Sequence, residues 1–343
     1  MQKKVLITGG AGFIGCHTAN HYASQNCQVT IYDNLSRKGT AENAKWLKQN
    51  YPQIIIKQAD IRDSSSLNQA VKGQNLIFHF ASQVAVTTSI TNPREDFEIN
   101  TLGTFNVLEA MRLNAPSATL IYSSTNKVYG GMEDIKVKEG KTKYYYQSLP
   151  YGIPENRFLD FHSPYGCSKG AGDQYVRDYH RIYGLNTIVF RQSCIFGTRQ
   201  FGIEDQGWLA WFTIALLLGK PITLYGNGKQ VRDVLYVDDL IAAFDQALKY
   251  INVAKGEIYN VGGGIKNTLS LLEALDLLQQ LTGKPAMLKH EAFRPGDQPV
   301  YISDIRKAEK ELHWQPKITA KQGIIKLIQW SQDNKKILEH IFS

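Results

Sequence analysis

The chain has 343 residues, 43% of them apolar, a length and composition suited to one large globular domain or two fused domains sharing a generous core. Its 39 Lys and Arg outnumber 31 Asp and Glu by eight, but the basic residues are scattered rather than gathered in a run or arm. This argues against a nucleic-acid partner and for a basic cleft facing an anionic diphosphate. The four cysteines, Cys16, Cys27, Cys167 and Cys194, have no C-x-x-C spacing and no histidines at metal distances, so they read as reduced core thiols with no metal site. The longest nearly apolar run, Trp208 to Leu218, is too short for a membrane span of about twenty residues and predicts a buried helix. No room for a signal peptide precedes the first strand, so a cytoplasmic protein is expected.

The first elements carry the strongest local signal. Lys4-Val5-Leu6-Ile7-Thr8 is a short apolar run followed by Gly9-Gly10-Ala11-Gly12-Phe13-Ile14-Gly15 and an amphipathic segment to about Ser24. That order predicts strand, glycine turn and helix. Gly9 permits the turn, Gly12 lets the backbone approach a pyrophosphate, and Gly15 allows the helix to pack on the strand, with the phosphates at the helix N-terminus. A second strand, Val29 to Tyr32, ends at Asp33, where a carboxylate can accept both adenosine ribose hydroxyls and repel a 2′-phosphate. NAD is therefore expected over NADP. Arg37 and Lys38 blur that preference and read equally as solvated loop charges.

Further strands are expected at Ile54 to Ile56, Leu76 to Phe80 and Thr119 to Tyr122, with helical segments between. Strand and helix alternate, which predicts an α/β fold with a doubly wound parallel Rossmann-type sheet. Asp33, Asp60, Phe80-Ala81-Ser82 and Ser123-Ser124-Thr125 all fall at carboxyl ends of strands, where such sheets bind ligands. His79, inside an apolar strand, reads as a core imidazole. A helix from about Asp96 to Asn114 carries Asn100, and Pro164 opens another bearing Tyr165 and Lys169. The polar, tyrosine-rich stretch from Gly131 to Phe161 is the nearest thing to a linker. Past a sixth strand at Thr187 to Phe190, aromatic, glycine and arginine residues become dense and imply a second ligand. Strand and helix patterns return at 234–250 and 257–261. We expect a dinucleotide domain over 1–190 with returns near 234–262, and a smaller, interleaved C-terminal substrate domain over 191–343.

Tyr165 and Lys169, four apart on a helix, share a face. A phenol titrates near pH ~10, too high for a base at neutral pH, and a nearby ammonium favours its ionised form. Thr125 would hold a substrate hydroxyl against Tyr165 while a nicotinamide takes the hydride. Trp208 and Trp211 are expected either to stack on a base or sugar or to fill the core.

Together the glycine motif, Asp33, Asp60-Ile61, Asn100, Ser123-Ser124-Thr125, Tyr165 with Lys169, and Arg232-Asp233 resemble the extended short-chain dehydrogenases/reductases acting on nucleotide sugars, over nearly the whole chain. More specific segments, Ser124-Thr125-Asn126-Lys127-Val128-Tyr129-Gly130, Asp160 to Gly166, Phe201 to Phe212, and Gly226 to Asp233, resemble the CDP-paratose 2-epimerases, also called CDP-tyvelose 2-epimerases. The resemblance implies tightly bound, recycled NAD and inversion at C2 of a CDP-linked sugar through a 2-keto intermediate, in the branch of metabolism that builds lipopolysaccharide O-antigen. It implies Thr125, Tyr165 and Lys169 as catalytic residues. It places Gly9, Gly12, Phe13, Ile14, Gly15, Asp33, Asn34, Ser36, Asp60, Ile61, Phe80, Ala81, Ser82, Asn100 and Ser123, with Tyr165 and Lys169, around the coenzyme. Substrate contacts are implied at Asn126, Gln192, Arg199, Gln206, Arg232 and Arg294. The last two suit phosphate because guanidinium groups bind its oxygens in two-point fashion, unless they are surface arginines paired to Asp233 and Asp297.

Related nucleotide-sugar 4,6-dehydratases carry an Asp-Glu pair directly after the threonine, whereas this chain has Asn126 and Lys127, so elimination of water is not expected. Two other readings stay open: a UDP-hexose 4-epimerase using the same three residues, and a catalytically silent dinucleotide-binding module. Pairing into a homodimer or homotetramer through the helices carrying Asn100 and Tyr165 is implied by analogy.

Overall fold

The computed structural model describes residues 2–294 and 297–343. The first half is a run of strand and helix units: β1 (Lys4–Thr8), α1 (Phe13–Ser24), β2 (Gln28–Asp33), α2 (Thr40–Asn50), β3 (Ile55–Gln58), α3 (Ser64–Val71) and β4 (Leu76–His79). Two short helices, α4 (Val86–Thr91) and α5 (Pro93–Phe97), lead through a π-helical turn at Glu98–Leu102 into α6 (Gly103–Asn114). The expected single helix over 96–114 is thus broken by a π turn, a distortion frequent at functional sites. Next come β5 (Thr119–Thr125), a hairpin of β6 (Val137–Glu139) and β7 (Tyr144–Tyr146), the 20-residue α7 (Pro164–Tyr183) and β8 (Asn186–Gln192).

The remainder departs from and returns to this frame. Following β9 (Cys194–Phe196), α8 (Trp208–Leu218), β10 (Ile222–Tyr225), β11 (Val231–Tyr236), α9 (Val237–Lys249) and α10 (Ile251–Ala254), the chain re-enters the main sheet as β12 (Ile258–Val261). It then runs through β13 (Thr268–Ser270), α11 (Leu271–Thr282), β14 (Leu288–Glu291), β15 (Val300–Tyr301) and three helices, α12 (Arg306–Leu312), α13 (Ala320–Asp333) and α14 (Lys335–Phe342).

The main sheet has seven strands, all parallel, in the order β12-β8-β5-β4-β1-β2-β3. This is the doubly wound Rossmann-type arrangement, with order reversing between β1 and β4. Its central strands are apolar through their middles: Val5, Leu6, Ile7, Leu76, Ile77 and Phe78 are all fully buried, as a sheet covered on both faces requires. Two cores follow, one on each face, and a third lies between α8, α11, α13 and β11.

One element matches its sequence reading and two others differ from theirs. Trp208–Leu218 is helical and buried on most of its surface, which suits its uniformly apolar composition. The 131–161 stretch is no linker: Val128, Tyr129, Met132, Ile153 and Tyr301 form a small core beneath it, and β6 pairs with β7. Its polar surface residues hide that core from any periodicity analysis. Cys167 is exposed, because it sits on the outer side of the first turn of α7, whereas Cys16 and Cys27 are buried and Cys194 is half-buried.

Candidate active site

The turn after β1 needs its glycines for identifiable reasons. Gly9 has φ of +68°, and a Cβ there would lie 2.6 Å from the backbone nitrogen of Ala81. A Cβ on Gly15 would lie 2.2 Å from the carbonyl oxygen of Gly9, so only glycine lets α1 approach the turn this closely. Gly12 caps α1 without any side-chain hydrogen bond, which leaves first-turn N–H groups unpaired at the positive end of a 12-residue helix.

Those groups open onto a cleft of about 1000 Å³ along the carboxyl ends of the strands. Gly9, Gly12, Phe13, Ile14 and Gly15 line it from the turn. Asp33, Asn34, Ser36, Asp60 and Ile61 line it from the ends of β2 and β3, and Phe80, Ala81, Ser82 and Ser123 from β4 and β5. Asp33, buried, accepts the Ala11 N–H at 3.0 Å and the Leu35 N–H at 2.8 Å, which holds its carboxylate at the cleft floor. Asp60 is held below the usual carboxylate range, at about 2, chiefly by hydrogen bonds from the Arg62 guanidinium. Unpaired helix N–H groups, a glycine floor and a carboxylate at the end of β2 fit an adenine dinucleotide with free ribose hydroxyls.

Asn100 is not on that surface. It is buried behind it, where its amide donates to the Gln83 carbonyl, to Asp96 Oδ1 and to Ser168 Oγ, each at 3.1 Å, and accepts the Gln83 N–H at 2.9 Å. A motif position predicts proximity but not which way an amide spends its bonds. Here Asn100 braces the π turn against α7.

A second pocket adjoins the cleft and shares Phe13, Ile14, Ser82, Val84, Ser123 and Gln206 with it. Thr125, Tyr165, Lys169 and Gln192 meet there, together with Cys194, Gln200 and Trp208. Thr125 ends β5 and pairs in register with Gln192 of β8, so the two side chains come from neighbouring strands. Ser163 caps α7 by accepting the Gly166 N–H at 3.0 Å, and Pro164 occupies its first position, which presents Tyr165 at the pocket. The side-chain nitrogen of Gln192 is buried without a hydrogen-bond partner among the described residues, leaving a donor at the pocket wall.

The electrostatics differ from the simple expectation of an ammonium lowering a phenol. Burial pushes Tyr165 up to about 12, partly offset by the Thr125 hydroxyl and the Arg37 charge. The Lys169 ammonium donates to the Ser123 carbonyl at 2.6 Å and lies 4.3 Å over the Tyr122 ring. Burial pulls Lys169 down to about 7, against the opposing charges of Asp173 and Asp96. Four-residue spacing brings Lys169 to the correct face, but the exposed carbonyl at the end of β5 captures it. Lys169 thereby ties α7 to the strand that carries Thr125.

The other anticipated substrate residues are dispersed. Gln206 lines both the cleft and the inner pocket. Arg199 lies in a side pocket, its guanidinium 3.6 Å over the Trp46 ring, and its carbonyl accepts from Asn43. Asn126 accepts from the Thr125 hydroxyl at 3.3 Å. Arg232 pairs with Asp297 at 2.5 Å, and Arg294 pairs with Asp205 at 3.2 Å while lying 3.7 Å over Tyr225. Asp233 is not an arginine partner; buried, it accepts from Ser193 and from the Ser303 and Gly264 N–H groups and so organises a turn. Lys127 is half-buried, makes no ion pair among the described residues, and feels the charges of Arg232 and Asp297.

Trp208 lines the pocket and donates to Cys194 Sγ at 3.3 Å, whereas Trp211 packs against Phe342. Gln200, expected with Arg199 and Gln206 as a substrate contact, lines this pocket, whereas Cys194 and Val84 had no such expectation. Gln200 and Trp208 fall in the aromatic and glycine-rich stretch that already suggested a ligand, while Val84 carries no sequence signal. His79 is a core residue as expected: it bonds Thr8 at 2.7 Å and Thr104 at 3.0 Å, and burial holds it down at about 3.

Comparison with known proteins agrees with this architecture. The CDP-paratose 2-epimerase of Salmonella typhi is 45% identical over 335 residues, spanning 96% of this chain and 99% of that one. The UDP-glucose 4-epimerase of Thermotoga maritima, solved with UDP-glucose, superposes with a TM-score of 0.83 at 28% identity, covering 97% of this chain and 99% of the other. The dTDP-glucose 4,6-dehydratase DesIV of Streptomyces venezuelae, solved with NAD and TYD, superposes with a TM-score of 0.85 at 28% identity over 98% and 99% of the two chains. The family model described as GDP-mannose 4,6 dehydratase matches residues 6–327. The chain therefore belongs to that family of NAD-dependent nucleotide-sugar epimerases and dehydratases.

Proposed function

We propose that this chain converts CDP-paratose to CDP-tyvelose by inverting C2 of the sugar through a transient 2-keto intermediate. The observation that carries the reaction class is the junction of the two pockets, where Thr125, Tyr165 and Lys169 face a wall shared with the dinucleotide cleft. Full-length likeness to the Salmonella typhi enzyme supports the CDP sugar and the C2 position.

NAD, when bound, supplies the acceptor and later the donor of the hydride. Tyr165 takes the proton of the C2 hydroxyl and returns it after the sugar has presented its other face, so the stereocentre inverts and no coenzyme is consumed. Thr125 orients the hydroxyl. Lys169 holds the Tyr165 helix against β5 and supplies positive charge beneath the site when protonated. Arg232 and Arg294 hold the diphosphate by exchanging their present carboxylate partners for phosphate oxygens, which leaves the sugar free to turn. Asn126 and Lys127 supply no carboxyl acid or base after Thr125, which disfavours elimination of water from the keto sugar.

Exposed Phe97, Leu102 and Phe105, with Tyr175, Ile182 and Tyr183 on α7, supply apolar surface that supports pairing into a homodimer or homotetramer. No helix among the described residues is long and apolar enough to cross a membrane, which accords with a cytoplasmic place in O-antigen sugar supply.

The likeness to a UDP-glucose 4-epimerase makes UDP-hexose inversion the second reading. Separate incubations with CDP-paratose and UDP-glucose, followed by proton NMR, distinguish the two. The expected product is CDP-tyvelose; turnover of the UDP sugar alone overturns the assignment.

A further inference from the structure

We propose that Arg37 is a ligand of the coenzyme diphosphate, held across the cleft by Gln206. The charge balance of the cleft motivates this. Its lining includes two carboxylates, Asp33 and Asp60, and among the described residues Arg37 is its only Lys or Arg. Asp60 is already matched by Arg62, with contacts of 2.9 and 2.8 Å. Two phosphate charges would then rest on α1 N–H groups and on Arg37. A guanidinium offers five N–H donors in a planar fork suited to phosphate oxygens.

Arg37 is free to serve. It makes no ion pair among the described residues, and its side chain donates to a single acceptor, Gln206 Oε1, at 3.4 Å. It lines the cleft with Asp33, and its partner Gln206 also lines the inner pocket with Tyr165, which sets the guanidinium between the adenosine end and the catalytic end. That span is where a dinucleotide carries its phosphates. The backbone under Arg37 is fastened, since its carbonyl accepts from the Thr40 hydroxyl at 2.7 Å and the Thr40 N–H at 3.2 Å.

Gln206 is placed to aim this side chain. It lines the cleft, the side pocket and the inner pocket. A tight turn fixes it, with reciprocal backbone bonds between Ile203 and Gln206 of 2.9 and 3.0 Å. Gln206 acts through Arg37 and is a positioning residue for the coenzyme. The bland alternative is a solvated loop arginine, as Lys38 next to it would be. Lys38 lines the side pocket but not the cleft, which makes it the internal control.

The inference rests on NAD as coenzyme and not on which sugar is turned over. The test loads purified protein with NAD, dilutes it into an excess of an NAD-consuming enzyme without any sugar, and follows release over time. Losing charge-assisted hydrogen bonds to phosphate predicts release about 10- to 100-fold faster in Arg37→Ala, an intermediate rate in Arg37→Lys, and no change in Lys38→Ala. Gln206→Ala alone accelerates release, but adds nothing in the Arg37→Ala background. Release from Arg37→Ala within twofold of wild type overturns the proposal. So do additive effects of the two substitutions, because a positioning residue has nothing left to position. A wrong sugar assignment leaves these rates untouched.

Discussion

Asp173 and Arg191 meet side-on, with Nε and Nη2 each 2.9 Å from a carboxylate oxygen, and both side chains are almost wholly buried. Asp173 also accepts from Ser124 at 2.7 Å. One carboxylate thus fastens α7, which carries Tyr165 and Lys169, to β5, which carries Thr125, and to β8. Removing one partner leaves a buried charge unpaired, so Asp173→Asn or Arg191→Met should cost about 3–5 kcal/mol in urea denaturation. Losses below about 1 kcal/mol for both would show that the pair is not the brace described.

Tyr165→Phe keeps the ring in its buried place and removes only the hydroxyl. Retention of NAD with turnover reduced about 10²- to 10⁴-fold is expected. Absorbance of the purified variant reads the first and NMR of products the second. Near-normal turnover would remove Tyr165 from the proton path.

Lys127 introduces a pH dependence on the substrate side. Burial, with Arg232 beside it, pulls its ammonium down to about 8, against the pull of Asp297 and Cys194. Below pH 8 it adds positive charge beside the proposed phosphate clamp; above 8 that charge is lost. KM for the nucleotide sugar should therefore rise as pH passes upward through about 8, and Lys127→Met should flatten that limb. An unchanged pH profile in the variant would place Lys127 outside the substrate's reach.

His79 makes stability depend on pH in a predictable direction. Its folded value, about 3, lies below the ordinary 6.5 because burial disfavours the imidazolium. The unfolded chain takes up the proton first, so this contribution is complete above pH 6.5 and is lost progressively as pH falls toward 3. Between pH 7 and pH 5 the loss is about 2 kcal/mol for this group alone. Comparing wild type with His79→Asn by denaturant titration at both pH values isolates it. Equal slopes in the two proteins would refute the assignment.

Much of the coenzyme cleft was legible because its signals are short-range. The apolar run of β1, the glycine spacing and Asp33 at the end of β2 lie within one strand-helix-strand unit, where period and turn chemistry dictate conformation. The same holds for Tyr165 and Lys169, whose shared face follows from helical spacing. The substrate side was much less legible. Which carboxylate faces Arg232 or Arg294 depends on chain segments far apart in sequence, Arg232 pairing with Asp297 65 residues on and Arg294 with Asp205 in a much earlier segment, and no local pattern encodes that choice.

What the sequence by itself determined was the parallel α/β architecture, the glycine turn after β1 and the shared helix face of Tyr165 and Lys169. The tertiary structure decided how those residues spend their bonds. Lys169 lies on the Ser123 carbonyl, Asn100 is consumed in bracing the π turn, and Arg37 reaches across to Gln206. The physical reason is that a side chain's charge state and partners are set by burial and by acceptors brought in from distant strands, and both exist only once the sheet has assembled.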